Sequence, residues 1–270
     1  MSPQKYILTE GGCMEEENRF RKLRKYNLAM GFFHLIQGAL MIILTNEYAV
    51  PIRSSFLHYM PASDTLKAVT EDIVEIQMGP LVAGFLFMSA IAHFTVSAPG
   101  VFSWYVSNLK RGINYARWYE YAFSASLMIV LIAMLSGIYD IVALIGLFAL
   151  TAMMNLFGLM MELHNQTTER TNWTAYYFGC VAGIIPWVAI FIYFQGSASS
   201  GEMPTFVYFI MGSLLFLFAT FAINMVLQYK KVGPWKDYLF GESMYILLSL
   251  TAKSVLAWQV FGGVLARSDF

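Results

Sequence analysis

The sequence predicts an all-α membrane protein, a bundle of seven transmembrane helices, and three observations carry this prediction. Of the 270 residues, 58% are hydrophobic and only 13% are charged, which is far more apolar than a soluble domain. Seven apolar windows follow one another along the chain, and each can cross a bilayer core of about 30 Å as a helix. Basic residues concentrate in alternate connections between the windows, as in polytopic membrane proteins.

The polar segments between the windows define the domain organisation. Residues 1–26 lack a signal-peptide pattern and are predicted to be a cytoplasmic N-terminal tail, while 267–270 form a C-terminal tail. Residues 27–266 are predicted to form one seven-helix domain. Its segment 46–75 is polar and too long for a tight connection, so it is predicted to be an ordered or partner-binding external loop. The windows span residues 27–45, 76–98, 113–136, 141–161, 173–195, 204–229 and 243–266.

The distribution of Lys and Arg predicts the orientation of the bundle. If the N-terminus is cytoplasmic, twelve of the 17 basic residues fall inside and three outside, while Arg117 and Lys253 lie within windows. The positive-inside rule therefore predicts an inverted topology, with the N-terminus in the cytoplasm and the C-terminus outside the cell. The equal numbers of basic and acidic residues, 17 of each, give no basic excess, so no nucleic-acid partner is expected.

Lys253 lies near the middle of the last window and is the first functional candidate. Each membrane face is roughly 15 Å away along the helix axis, too far for a lysine side chain to reach water. An isolated charge at this depth costs several kcal/mol, so the ammonium needs a partner. A lysine desolvated in an apolar pocket is also the side chain that condenses with aldehydes to form a Schiff base.

Three formal charges lie within the windows, namely Arg117, Glu120 and Lys253. Arg117 and Glu120 are three residues apart, so they share one face of the third helix. Glu120 is the only carboxylate that the sequence places well inside the bundle, which makes it the counterion candidate for Lys253. A purely structural ion pair between two helices is the alternative interpretation, although buried ion pairs stabilise proteins weakly. Glu162, at the inner end of the fourth window, is either an interfacial anchor or a functional residue.

These residues carry a family resemblance. Seven helices, a lysine in the middle of the seventh, and the run ARWYEY at 116–121 resemble microbial rhodopsins, in which Arg-x-x-acid supplies the Schiff-base counterion. The chain most resembles heliorhodopsins, because its topology is inverted and its seventh helix reads SLTAK at 249–253. Polar His34, Ser89 and His93 in the first two helices strengthen this resemblance.

The resemblance implies a cofactor, all-trans retinal, bound covalently to Lys253 with Glu120 as counterion and photoisomerisation as the primary event. It also implies a homodimer to which the external loop 46–75 contributes, in addition to contact with membrane lipids and an unidentified cytoplasmic signalling partner. We expect neither enzymatic activity nor a metal site.

The pocket candidates are aromatic, apolar and small polar residues near the depth of Lys253. Aromatic residues make up 16% of the chain and fill the core of any membrane bundle, so packing alone also explains their presence. The candidates are Tyr121, Phe123, Met154, Trp187, Phe216 and Phe218, with Ser89 and Ser249 near the charged pair.

A second set of polar residues predicts a local proton-accepting site. Counted from the inner ends of their helices, His34, His93 and Glu120 lie at one depth, about 8 to 10 Å into the membrane. A neutral imidazole can accept a proton near neutral pH. The alternative is that each histidine makes an ordinary intramembrane hydrogen bond, and hydrogen bonding between helices is also the simplest role for Asn155 and Asn224.

Two missing carboxylates favour sensing over pumping. Outward proton pumps of the wider superfamily carry one acid a turn before the lysine and another eleven residues beyond the counterion, where this chain has Ser249 and Leu131. Neither side chain can relay a proton at physiological pH. The sequence predicts a light sensor with a slow photocycle, a locally retained Schiff-base proton and no ion pumping. A light-gated proton pathway and a non-photoactive transporter with a Lys/Glu pair are the alternatives.

Overall fold

The computed structural model describes residues 10–199, 201 and 204–266, with side chains from residue 14 onwards. The remainder of the predicted N-terminal tail and the whole C-terminal tail lie outside the described residues. Seven helices in this part of the chain are long and apolar enough to cross a membrane, as the sequence predicts. The α-helices of the described residues are α1 (Glu10–Leu44), α2 (Met78–Ser97), α3 (Val101–Leu109), α4 (Tyr115–Leu135), α5 (Ile141–His164), α6 (Thr174–Ser199), α7 (Thr205–Tyr229) and α8 (Tyr238–Val260). All of them except α3, which has only 9 residues, are long enough to cross a membrane.

The first helix begins well before the predicted window, so the part of the predicted tail that is described is helical rather than irregular. Phe20 and Leu23 are buried and pack in one apolar cluster with Tyr105 and Leu109 of α3. These residues form an apolar face on the otherwise polar stretch. Packing of this face stabilises the helix, which intrinsic helix propensity alone would make only marginally stable. The short α3 itself was predicted as part of a loop.

The predicted external loop is a β-hairpin, so the prediction of an all-α protein is wrong for this segment. Strand β1 (Ala49–Met60) pairs antiparallel with β2 (Thr65–Gln77), and the register shifts between Ile52 and Arg53. Val50 and Ile52 are buried in the main core, because alternate residues of a strand point to the same face. The composition of the segment did not reveal this alternation of buried and exposed residues, which is confined to the base of the hairpin.

The hairpin is fixed to the turn between α4 and α5. The backbone N–H of Arg53 donates to the carbonyl oxygen of Tyr139 at 2.9 Å, and Ser54 Oγ donates to Asp140 Oδ2 at 3.1 Å. Asp140 also caps α5 by accepting hydrogen bonds from Val142 N and Ala143 N. The base of the hairpin therefore covers the end of the bundle at which α5 begins.

The main core lies inside the bundle and joins α2, α4, α7 and α8. Its members include the fully buried Phe85, Leu131, Leu214 and Leu256, one from each of these helices. A five-residue π-helical turn, Phe261–Leu265, continues α8 beyond this core. Lys253 lies between the core and the opposite end of α8, where the other buried charges are found.

Candidate functional site

Lys253 has two polar partners inside the bundle. Only 2% of its surface is exposed, and its Nζ donates to Glu120 Oε1 and to Ser249 Oγ, each at 2.9 Å. Ser249 precedes Lys253 by four residues, so one turn of α8 places the hydroxyl directly beside the ammonium. The predicted contact between Lys253 and Glu120 is present, and it joins α8 to α4.

Glu120 Oε1 accepts a second hydrogen bond, from Ser89 Oγ of α2 at 2.6 Å. The Tyr121 ring adds a cation–π contact, with its centroid 5.2 Å from Lys253 Nζ. The ammonium thus meets a carboxylate, a hydroxyl and an aromatic face. Because the pair is buried, removing either partner leaves an unpaired charge, which costs about 3–5 kcal/mol.

A large apolar cavity of about 400 Å³ lies between α4, α5, α6 and α7. Its volume is within the range of about 300–1,000 Å³ typical of small-molecule sites. A smaller cavity of about 50 Å³ shares Tyr121, Met154 and Phe218 with it and is also lined by Ser249 and Lys253. Lys253 therefore lies at the wall of the smaller cavity, which adjoins the larger one at these shared residues.

Four of the six aromatic and apolar pocket candidates line these cavities, and two do not. Tyr121, Met154, Trp187 and Phe218 line the cavity. Phe123 and Phe216 are 59% and 68% exposed on the outer surface of the bundle, so their assignment to the pocket is corrected. Each lies two residues from a lining residue, which turns it about 200° around the helix and directs it towards lipid.

Small residues of α5 and α6 create part of the cavity, and sequence reasoning did not single them out. A Cβ atom on Gly158 would lie 2.3 Å from Cζ3 of Trp118, so the Trp118 ring packs directly on the α5 backbone. A Cβ on Gly183 would lie 2.4 Å from Met154 Sδ. Larger residues at these positions would push Trp118 and Met154 into the cavity.

Arg117 forms a second buried charge cluster with two carboxylates. Its Nη1 donates to Glu242 Oε1 and its Nη2 to Glu162 Oε1. Glu162 and Glu242 are 2% and 1% exposed. Asn114 supports both, because its backbone N–H donates to Glu162 at 2.8 Å and its Nδ2 to Glu242 at 2.7 Å.

This cluster corrects two predictions from the sequence. Glu120 is not the only carboxylate deep in the bundle, and Glu162 is a buried ion-pair partner rather than an interfacial anchor. Glu242 was missed because it lies one residue before the last apolar window. A signal was present, since Glu242, Ser249 and Lys253 follow the spacing i, i+7, i+11 of a single helix face.

A small cavity of about 40 Å³ is lined by residues of both charge clusters. Ser89, Glu120 and Ser249 line it from the Lys253 pair, and Arg117 and Glu242 line it from the other cluster. A buried water needs about 10–15 Å³ and two to four polar partners, so this space has the volume and the polar groups to hold water.

The two predicted histidines lie together beside this cavity. The rings of His34 and His93 are stacked, with centroids 5.6 Å apart and an interplanar angle of 14°. His93 lines the cavity, and its Nδ1 is 2.8 Å from Oδ1 of Asn27. His34 is fully buried, and neither of its ring nitrogens has a hydrogen-bond partner among the described residues. The ordinary hydrogen-bonding explanation therefore fits His93 but not His34.

The intramembrane amides differ in their contacts. Asn224 Nδ2 donates to the carbonyl oxygen of Gly241 at 3.3 Å, which joins α7 to α8, and its Oδ1 accepts from Trp235 Nε1 at 2.6 Å. Asn155 Nδ2 instead bonds the carbonyl oxygen of Thr151 on its own helix at 2.9 Å, while its side chain lines the apolar cavity. Asn224 thus makes the expected contact between helices, whereas the bond of Asn155 is internal to α5.

The family model of heliorhodopsin matches residues 23–265, which overlap all seven membrane-spanning segments and include Glu120 and Lys253. A comparison with curated proteins found no match. The family match covers most of the chain, and the buried lysine, its carboxylate partner and the adjoining apolar cavity lie inside the matched region. The chain therefore belongs to the heliorhodopsin family.

Proposed function

We propose that this multi-pass membrane protein is a light sensor that binds all-trans retinal through Lys253 Nζ. The observation that carries the proposal is the position of this buried amine, 2.9 Å from Glu120 at the wall of the apolar space formed by the two adjoining cavities. Family membership implies a retinal chromophore attached to a lysine, and the residues present suit one. When bound, retinal supplies visible absorption and a light-driven change of shape. The decisive experiment is the visible spectrum of the protein with added retinal.

The residues around Lys253 hold a proton on its nitrogen. Glu120 compensates the positive charge, and Ser89 fixes the carboxylate by donating to the same Oε1 atom. Ser249 accepts a hydrogen bond from Nζ, and the Tyr121 ring covers the cation. Because these groups are buried, their interaction is little screened by water or salt. Tyr121, Met154, Trp187 and Phe218 would surround the polyene.

Light should produce no net ion transport. Ser249 contacts Lys253 where pumps carry an acid, and Leu131 is fully buried in the apolar core, so the chain lacks both relay groups. We expect illuminated vesicles containing the retinal-loaded protein to show no sustained pH change and no photocurrent. An outward proton pump measured in the same vesicle preparation is the positive control. A sustained light-driven proton current would favour a gated proton pathway instead.

The proton that leaves the Lys253 nitrogen after illumination should be held on the side of Glu120, His93 and His34. Stacking of the two rings beside the small cavity that Glu120 and His93 line supports this proposal. Replacing both histidines with Phe should slow or alter formation of the deprotonated Lys253 species in flash photolysis. His58→Phe, on the exposed hairpin, is the matched control. Unchanged kinetics in the double variant, or prompt proton release detected by an external pH dye, would contradict this role.

The proposed orientation places the N-terminus in the cytoplasm. Arg19 contacts Asp237 at 2.5 Å and Lys110 contacts Glu16 at 3.2 Å, so three predicted cytoplasmic segments meet at one end of the bundle. Membrane-impermeant thiol labelling of intact cells checks this, in a background without other cysteines. Ser63→Cys at the hairpin tip should react and Lys231→Cys should not; the reverse pattern would invert the topology.

The hairpin is the proposed contact between two copies of the chain. It exposes Phe56, Leu57, Tyr59 and Leu66, which form more apolar surface than an isolated external hairpin normally carries. Leu57→Glu should shift the protein towards monomer in mass measurements of detergent-solubilised complexes. An unchanged oligomeric state would remove Leu57 from the interface. Membrane lipids cover the apolar outer faces of the helices. A cytoplasmic protein is the proposed signalling partner.

A further inference from the structure

The buried Arg117 cluster has an unequal number of positive and negative groups. One guanidinium contacts two carboxylates, those of Glu162 on α5 and Glu242 on α8. Among the described residues, no other Lys or Arg forms an ion pair with either carboxylate. If both were ionised, the cluster would carry a net charge of −1 in a region shielded from water.

A net buried charge is costly, and one proton removes it. Two carboxylates that share a site raise each other's affinity for a proton, because like charges at short distance repel strongly at low dielectric. The neutral donors Asn114 and Gln228 stabilise carboxylate oxygens by hydrogen bonds but do not supply a full compensating charge. Protonation of one carboxyl leaves a balanced pair of one guanidinium and one carboxylate.

The surrounding groups do not remove this imbalance. The other titratable side chains that face the cluster are Tyr105 of α3, Tyr229 of α7, and Tyr238 and Tyr245 of α8. Burial raises the pKa of Tyr105, which lies outside the membrane-spanning segments, and the Glu242 carboxylate raises it further. A protonated tyrosine is neutral. In the part of the chain that the structure describes, no cation other than Arg117 therefore offsets the second carboxylate.

We propose that Glu162 and Glu242, which both contact Arg117, share one proton between their carboxyl groups. Together they form a proton-binding site distinct from the Lys253–Glu120 pair. Arg117 Nε is buried and has no hydrogen-bond partner among the described residues. Arg117 and Glu242 also line the small cavity that Glu120 and Ser249 line. This shared space places the proposed proton-binding site next to the Lys253 pair. The proposal concerns the protein in the dark and does not require retinal.

Infrared spectroscopy of the full-length protein in lipid nanodiscs tests the proposal directly. At pH 7 in the dark, with or without retinal, the wild type should show the carbonyl-stretch band of a protonated carboxylic acid. The band should shift in D₂O and on labelling with ¹³C-glutamate. It should be lost in Glu162→Gln and in Glu242→Gln, since the single remaining carboxylate is neutralised by Arg117. Glu120→Gln, which leaves the cluster intact, is the matched control and should retain the band.

Each outcome is decisive. Absence of a glutamate carboxylic-acid band from the wild type would overturn the proposal without any variant. Persistence of the band in either Glu162→Gln or Glu242→Gln would show that the two carboxyl groups do not share the proton. Loss of the band in Glu120→Gln would place the proton at the Lys253–Glu120 pair. Circular dichroism of each variant verifies folding. Because the measurement is made in the dark and does not require retinal, its failure would leave the light-sensor assignment intact.

Discussion

Lys253→Ala should abolish the visible absorption band that the wild-type protein acquires with all-trans retinal. The side-chain nitrogen is the atom to which the chromophore is proposed to bind, and an alanine methyl group cannot form that bond. The wild type should show one visible band that bleaches with hydroxylamine, whereas the variant should show only the absorption of free retinal. Absorption spectra recorded before and after addition of hydroxylamine measure the effect, and the expected result for the variant is complete loss of the visible band.

The controls separate loss of the bond from loss of the fold. Lys253→Ala leaves Glu120 buried without its cation, which costs about 3–5 kcal/mol. The double variant Lys253→Ala/Glu120→Gln removes both charges and should fold better while remaining colourless. Lys230→Ala changes an exposed lysine and should keep the band. A colourless wild type would instead favour a transporter with a structural ion pair, and a coloured Lys253→Ala would exclude this lysine.

Glu120→Gln should have the second largest effect, because it removes the charge that compensates the Lys253 nitrogen. Glu120 Oε1 lies 2.9 Å from Nζ, and the Lys253 and Glu120 side chains are only 3% and 10% exposed. A loss of about 3 kcal/mol from the protonated state corresponds to about two orders of magnitude in its proton affinity. We therefore expect the visible band of the variant to shift to longer wavelength, or the deprotonated form to appear at a lower pH than in the wild type. A pH titration of the spectrum measures both effects.

Ser89→Ala is the graded control for this prediction. It removes only the 2.6 Å hydrogen bond to Glu120 Oε1 and leaves the carboxylate charge in place. The spectrum and its pH dependence should change in the same direction as in Glu120→Gln, but by less. A hydrogen bond to a charged group contributes about 1.5–3 kcal/mol. If the spectrum and its pH dependence were the same in Glu120→Gln as in the wild type, Glu120 would not be the counterion.

The sequence by itself determined the membrane-spanning segments and the central charged pair. Hydropathy over a window of about 20 residues is a local property, and the bilayer selects helices for such segments because their backbone groups must be satisfied internally. Lys253 and Glu120 were identifiable because an intramembrane charge is costly wherever the helices pack. The depth shared by His34 and His93 also follows from helix rise alone.

The tertiary structure decided which residues face one another. Phe123 and Phe216 have suitable depth and chemistry but lie on outer faces of their helices, and amphipathicity is too weak in an apolar bundle to reveal this from sequence. The contact between Glu242 and Arg117 joins residues 125 positions apart. Only the packing of α4, α5 and α8 brings two carboxylates to one guanidinium, because the position of a helix among its neighbours depends on contacts that no local window contains.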